Sequence, residues 1–158
     1  MEVRRAESRD VGALQEVFRR ASWSNEGDRA LFAEHPEFLE WSGDPAREGR
    51  TVLVSEGDIP VGFVSTIDAG DEVEIEDLFV DPAWMRRGIA SQLIEAVARE
   101  AADSGHLRLA VDGNEHALAF YLSAGFVQQA VVALEHGTAI RLHRELASPP
   151  NANGPIGS

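Results

Sequence analysis

The sequence predicts a mixed α/β fold: a mixed central β-sheet of about seven strands with helices on both faces. Three observations carry this expectation. Apolar spacing alternates between period 2 and period 3.6 in the order β-α-α-β-β-β-α-β-α-β-β. Some strands are joined by tight turns and others by helical crossovers, which gives both antiparallel and parallel neighbours. The chain has 158 residues and no cysteine, so apolar burial alone has to close the core. The predicted single domain covers residues 1–146.

The elements follow in order. Glu2–Ala6 reads as a first strand. Ser8, Arg9 and Asp10 precede a helix whose Val11, Leu14, Val17 and Phe18 recur at helical spacing, ending near Ser22. Residues 24–41 hold Leu31, Phe32, Phe38, Leu39 and Trp41 and predict one or two short helices broken around Pro36. Residues 42–49, with Gly43, Pro45 and Gly49, read as a loop. Residues 51–55 and 60–68 form a hairpin about Glu56-Gly57-Asp58. After a turn at residues 69–71, a strand runs over 73–80 until Asp81-Pro82 stops it.

A long helix opens near Gly88, with Ile89, Leu93, Val97 and Ala101 as its stripe, and ends at Ser104-Gly105. A strand at 107–111, a turn at 112–114 and a helix at 115–123 follow, with Gly125 closing that helix. Strands at 126–135 and 138–145 flank a turn at His136-Gly137. Residues 147–158, rich in Pro, Asn and Gly, predict a disordered tail.

Composition narrows the function classes. The formal net charge is −13, which repels nucleic-acid phosphates and anionic lipid, so neither is an expected partner. A cationic acceptor would be attracted. No apolar run approaches a membrane span, and the N-terminus lacks the apolar stretch of a signal peptide; a cytoplasmic protein is expected. None of the five histidines, His35, His106, His116, His136 and His143, has the spacing of a metalloprotease motif, and no metal is expected.

The informative segment is Val80-Asp81-Pro82-Ala83-Trp84-Met85-Arg86-Arg87-Gly88-Ile89-Ala90-Ser91. It reads strand, loop, helix start. The first turn of a helix leaves N–H groups without intrahelical partners, and the positive end of the helix dipole lies there. Gly88, Ala90 and Ser91 are small enough for a phosphate to approach the backbone, and Arg86 and Arg87 add positive charge. Neither a Walker loop nor a dinucleotide fingerprint is present.

These residues, with Glu76-Asp77-Leu78-Phe79 before them and Asn114, Ala117 and Phe120-Tyr121-Leu122-Ser123-Ala124-Gly125-Phe126 after them, resemble the GCN5-related N-acetyltransferase superfamily. The resemblance covers roughly residues 3–145. The family's loop reads Q/R-x-x-G-x-G/A; here Met85 takes the first position, a departure that removes a polar brace.

The resemblance implies a sheet splayed in its middle and acetyl-CoA as co-substrate. It implies that Arg86, Arg87, Gly88, Ile89, Ala90 and Ser91 hold the pyrophosphate through main-chain amides. It implies that the strand Leu78, Phe79 and Val80 pairs with pantetheine, with the Val80 amide facing the oxyanion. Asn114 matches a pantetheine-bonding position and equally suits the N-cap of the next helix. A homodimer is a family-level expectation.

The chemistry needs a base to take a proton from an ammonium acceptor, an oxyanion donor, and an acid for the departing thiolate. With no cysteine, direct attack is simpler than a covalent relay. By resemblance, Tyr121, the only tyrosine, is the acid; its structural alternative is a core aromatic. Of the crowded carboxylates Asp71, Glu72, Glu74, Glu76 and Asp77, Glu76 is the first choice for base and Asp77 the second. Period-2 alternation puts Glu74, Glu76, Leu78 and Val80 on one face and Ile75, Asp77 and Phe79 on the other. Trp23, Phe32, Phe38 and Trp41 are expected chiefly in the core. Two readings compete with the enzyme: a non-catalytic acyl-CoA-binding sensor, and an interaction domain that binds no CoA.

Overall fold

The computed structural model describes residues 1–135 and 137–147. His136, in the predicted turn, and the predicted tail beyond Ala147 lie outside the described residues.

Seven strands form one mixed sheet in the order β1-β2-β3-β4-β5-β7-β6. They are β1 (Glu2–Arg5), β2 (Thr51–Glu56), β3 (Ile59–Ala69), β4 (Glu72–Val80), β5 (Arg108–Gly113), β6 (Val127–Leu134) and β7 (Gly137–Glu145). The β4–β5 pair is parallel, and β1–β2, β2–β3, β5–β7 and β6–β7 are antiparallel. The helices are α1 (Val11–Trp23), α2 (Arg29–Glu34), α3 (Asp44–Arg47), α4 (Ile89–Asp103) and α5 (Leu118–Ser123). Among the described residues no helix is long and apolar enough to cross a membrane.

Two stretches differ from expectation. The predicted loop at 42–49 contains α3: Gly43 enters it at φ 81°, Pro45 sits in its first turn, where its missing N–H costs nothing, and the Asp44 N–H donates to Ser42 Oγ at 3.1 Å. The predicted turn at 112–114 is instead the end of β5, because Asp112 and Gly113 pair with Arg141 and Ile140 of β7. Residues 24–41 hold α2 between two 3-10 turns, and α2 stops at His35, held off helical geometry by Pro36.

The chain forms two compact units. The first comprises Met1–Thr66 and Asp77–Ala96. In its core Val11, Leu14 and Val17 of α1 join Trp41, Leu53 and Phe63, with Phe18 and Phe79 packed against them. Each fully buried side chain of this size contributes about 1.5–3 kcal/mol. Phe63 stacks toward Trp41 at 4.7 Å. Its neighbour Gly62 faces the other way: a Cβ there would stand 2.8 Å from Ile89 Cγ2. Helices α1 and α4 therefore cover opposite faces of β3 in this unit.

The second unit comprises Ile67–Glu76 and residues from Val97 onward. Val73, Ile75, Leu109, Val111, Leu142, Tyr121 and Phe126 are buried in it. On β4, Glu72 and Glu74 accept from Arg141 of β7 at 2.8 Å each, and Arg108 of β5 reaches Glu72 at 3.4 Å. The stripe predicted for α4, Ile89, Leu93, Val97 and Ala101, is buried throughout, together with Ile94 and Ala98.

Candidate active site

In the first unit the site is built from the outer half of β4, the loop after it and the start of α4. Side chains of β4 alternate. Trp41 Nε1 donates to Asp77 Oδ2 at 3.0 Å, and Gln15 Nε2 donates to the Trp41 carbonyl at 3.0 Å. Phe79 meets Phe18 edge-on at 4.8 Å. Asp81 Oδ2 accepts from Arg20 Nε at 3.0 Å and Nη2 at 2.6 Å, while its Oδ1 accepts from the Ala83 N–H at 3.0 Å. Alternate residues of the strand are thus fastened, directly or through Trp41, to α1.

The same alternation governs the main chain. The Asp81 N–H donates to the Val61 carbonyl of β3 at 2.8 Å. Asp77 and Phe79, in phase with it, turn their N–H groups toward β3. Leu78 and Val80 turn theirs to the opposite edge. Among the described residues the β4–β5 ladder runs from Glu72↔Arg108 to Ile75↔Val111 and stops there. The amides of Leu78 and Val80 lie beyond it. The Phe79 ring packs against the core of this unit.

A 3-10 turn, Pro82–Trp84, follows β4. The Arg86 backbone then takes φ 65°, the only non-glycine in the left-handed region among the described residues, and Gly88 takes φ 79°. The first intrahelical bond of α4 is Gln92 N–H to the Gly88 carbonyl at 3.0 Å, so the Ile89, Ala90 and Ser91 amides precede it. Among the described residues no main-chain carbonyl accepts from any amide of Arg86, Arg87, Gly88, Ile89, Ala90 or Ser91. Consecutive amides in such a turn make a concave anion site. No Cβ at Gly88 would meet another atom within 4 Å; the glycine supplies the conformation and leaves the approach open. Arg87 lies over the Trp84 ring at 4.6 Å and Arg86 is exposed. The Ile89 side chain is buried.

A groove of about 580 Å³ in this unit is lined by Arg19, Arg20, Trp23, Ser24, Leu39 and Pro82. Trp23 is 43% exposed, against the expectation of core packing, while Trp41 at 7% meets it. Helix α1 places Trp23 at its C-terminal end, beyond the last core-facing turn.

In the second unit, Tyr121 of α5 is 5% exposed. Phe120 and Phe126 each stand edge-on to its ring at 5.3 Å. Burial pushes its phenol up to about 12, so it keeps its proton at neutral pH. Among the described residues its hydroxyl has no hydrogen-bond partner, although no buried side-chain polar atom is left unsatisfied; the oxygen therefore opens to the surface. Asn114 Oδ1 accepts from the Ala117 N–H at 2.9 Å, capping the turn that leads into α5. Cap geometry leaves its amide NH₂ available. Glu76 is exposed, as is His116. Among the described residues no group of His, Asp and Glu is placed to hold a metal.

The sequence reading missed Arg20, the Asp77–Trp41 bond and the left-handed Arg86. The first two join residues 61 and 36 positions apart, which local spacing does not reveal. The third lies inside the recognised loop, where Met85-Arg86-Arg87-Gly88 carries no turn signal before the glycine.

The strand order and the strand–loop–helix over residues 80–91 agree with the α/β fold of the acetyltransferases described next. The sequence model described as "Acetyltransferase (GNAT) family" matches residues 13–126. The chain belongs to that family and is an acetyl-CoA-dependent N-acyltransferase. No curated protein matches the chain in sequence. The PaiA N-acetyltransferase of Thermoplasma acidophilum, solved with coenzyme A, matches with a TM-score of 0.68 at 16% identity, over 91% of this chain and 98% of its own. The ribosomal-protein-S18-alanine N-acetyltransferase of Escherichia coli matches at 0.70 and 21%, over 95% and 97%. A GCN5-related N-acetyltransferase of Rhodopseudomonas palustris matches at 0.70 and 22%, over 92% and 95%. At these identities the likeness is one of fold.

Proposed function

We propose that this chain transfers an acetyl group from acetyl-CoA to a primary amine by direct attack. The observation that carries the reading is the run of amides from Arg86 to Ser91 with no main-chain acceptor of their own. In it the pyrophosphate accepts from these N–H groups at the positive end of α4. The pantetheine arm adds to the edge where the Leu78 and Val80 amides point, in the manner of an extra strand. Asn114 contributes its NH₂ to that arm.

Glu76 takes a proton from the acceptor ammonium, directly or through water. The freed nitrogen attacks the thioester carbonyl carbon, and the Val80 N–H donates to the oxyanion. The C–S bond then breaks, the surplus proton of the attacking nitrogen passes through water to the leaving sulfur, and Tyr121 donates a hydrogen bond to that sulfur. A phenol near 12 does not surrender its proton fully to a thiolate of ordinary basicity: that transfer runs about 3 to 4 pK units uphill, roughly 4–5 kcal/mol. Tyr121 therefore works chiefly as a hydrogen-bond donor to the developing thiolate, without giving its proton up.

The groove beside Pro82 receives the unreacting part of the acceptor, with Trp23 and Leu39 as its apolar walls. The surface charge of −13 favours an amine that arrives as a cation.

Thiol release from acetyl-CoA, measured across a panel of small amines, amino-acid amides and N-terminal peptides, tests the reading. Turnover with at least one acceptor is expected. CoA binding with no thiol release on any acceptor would make the chain a sensor. Tyr121→Phe should lower kcat by roughly 10²–10³-fold with KM for acetyl-CoA little changed; equal losses in rate and affinity would remove the donor role.

A further inference from the structure

We propose that Gly113 is a positioning residue for the Tyr121 ring: its missing side chain is the seat against which the phenol is set. The proposal rests on the reading of Tyr121 as donor to the leaving sulfur.

Gly113 ends β5 and is buried. Its φ lies outside the left-handed region, so the backbone there does not require glycine. Space does. A Cβ at this position would lie 3.0 Å from Tyr121 Cε2 and 3.2 Å from Cδ2, and 3.7 Å from Leu142 Cδ1. The first two distances are well inside ordinary carbon contact.

The ring has little room to retreat. Phe120 and Phe126 flank it edge-on, and Leu142 is fully buried. The next residue, Asn114, caps the turn from which α5 departs. One short stretch of backbone therefore launches the helix that carries Tyr121 and then receives its ring. A methyl group at 113 would tip the ring about its Cβ. The ring has to give by a few tenths of an ångström, a displacement that grows toward the hydroxyl, the atom farthest from that pivot, and misplacing a donor lowers the rate.

Tyr121 is the chain's only tyrosine, so tyrosinate absorbance reports this one phenol. The test compares the wild-type chain, Gly113→Ala, Tyr121→Phe and the double variant. For Gly113→Ala, kcat should fall by roughly 3- to 10-fold, with KM for acetyl-CoA within about twofold. With its phenol near 12, the wild type should be about one-tenth ionised at pH 11, and the variant distinctly more. In the Tyr121→Phe background, Gly113→Ala should cost nothing further in kcat, because the group it positions is gone.

An unchanged kcat and ionised fraction in Gly113→Ala, or an equal loss in both backgrounds, overturns the proposal. A Tyr121→Phe chain with wild-type kcat removes the donor reading itself, and with it the catalytic consequence of the seat. If Gly113→Ala does not fold, Gly113→Ala/Tyr121→Leu should restore folding by giving back the ring's space; failure of that rescue counts against the contact.

Discussion

Arg86 holds a backbone conformation that its own Cβ resists. At φ 65° a non-glycine residue pays about 1–2 kcal/mol. Such strain persists where surrounding structure has a use for the turn, and here the turn lies in a run of six amides that, among the described residues, have no main-chain acceptor. Arg86→Gly should raise unfolding free energy by up to about 1 kcal/mol, the relief being partly offset by the entropy of the unfolded glycine. Chemical denaturation with and without CoA checks this, and CoA binding should survive. A less stable variant would mean that the exposed guanidinium holds a contact of its own.

Glu76 is argued at the same scale. Glu76→Gln should depress the rate most at the acid end of the pH–rate profile, where the acceptor is most fully protonated. An unchanged profile shape moves the base to Asp77 or water. Positions in the fold were legible where a motif carried them: Gly88 stands just before α4, Asn114 caps the turn into α5 and Tyr121 lies on that helix. They were illegible where their meaning lies in a distant partner. Nothing near Arg20 announces Asp81, and nothing near Trp41 announces Asp77.

Among the elements, the loop and the start of α4 act together. Gly88→Glu sets a side chain into a left-handed position and a negative charge into the amide cradle. CoA binding should be abolished while the fold survives; the thermal shift given by saturating CoA should vanish. Retained binding would place the pyrophosphate elsewhere. Periodicity found the long elements because each has one buried face, as in the α4 stripe and the alternation of β4. It failed where burial is shallow or the chain short. Neither α2 nor the turn at Pro36–Leu39 has a buried residue, and α3 is a single turn that Pro45 and Gly43 disguise as loop. The end of β5 was misread because Asp112, Gly113 and Asn114 are turn formers by type, yet pairing with β7 holds the first two extended.

For the molecule as a whole, Tyr121 links burial to pH. Its folded-state value is raised from 10.0 to about 12. Below pH 10 the phenol is neutral in both states and adds no pH dependence. Between pH 10 and 12 the unfolded chain loses this proton while the folded chain keeps it, so stability falls as pH rises, by about 2–3 kcal/mol across the window. Urea unfolding at pH 9 and pH 11 should show part of that fall, and Tyr121→Phe should flatten it. An equal slope in the variant would assign the alkaline loss to other groups.

Strand β4 keeps different company along its length. Its first half is flanked by β5 and tied through Glu72 and Glu74 to Arg141; among the described residues the ladder with β5 ends at Ile75↔Val111, short of Leu78 and Val80. Solvent deuterons should therefore enter one end of a single strand quickly and the other slowly. A pantetheine arm lying there would slow exchange at Leu78 and Val80, so deuteron uptake at those two amides would gauge whether co-substrate is in place.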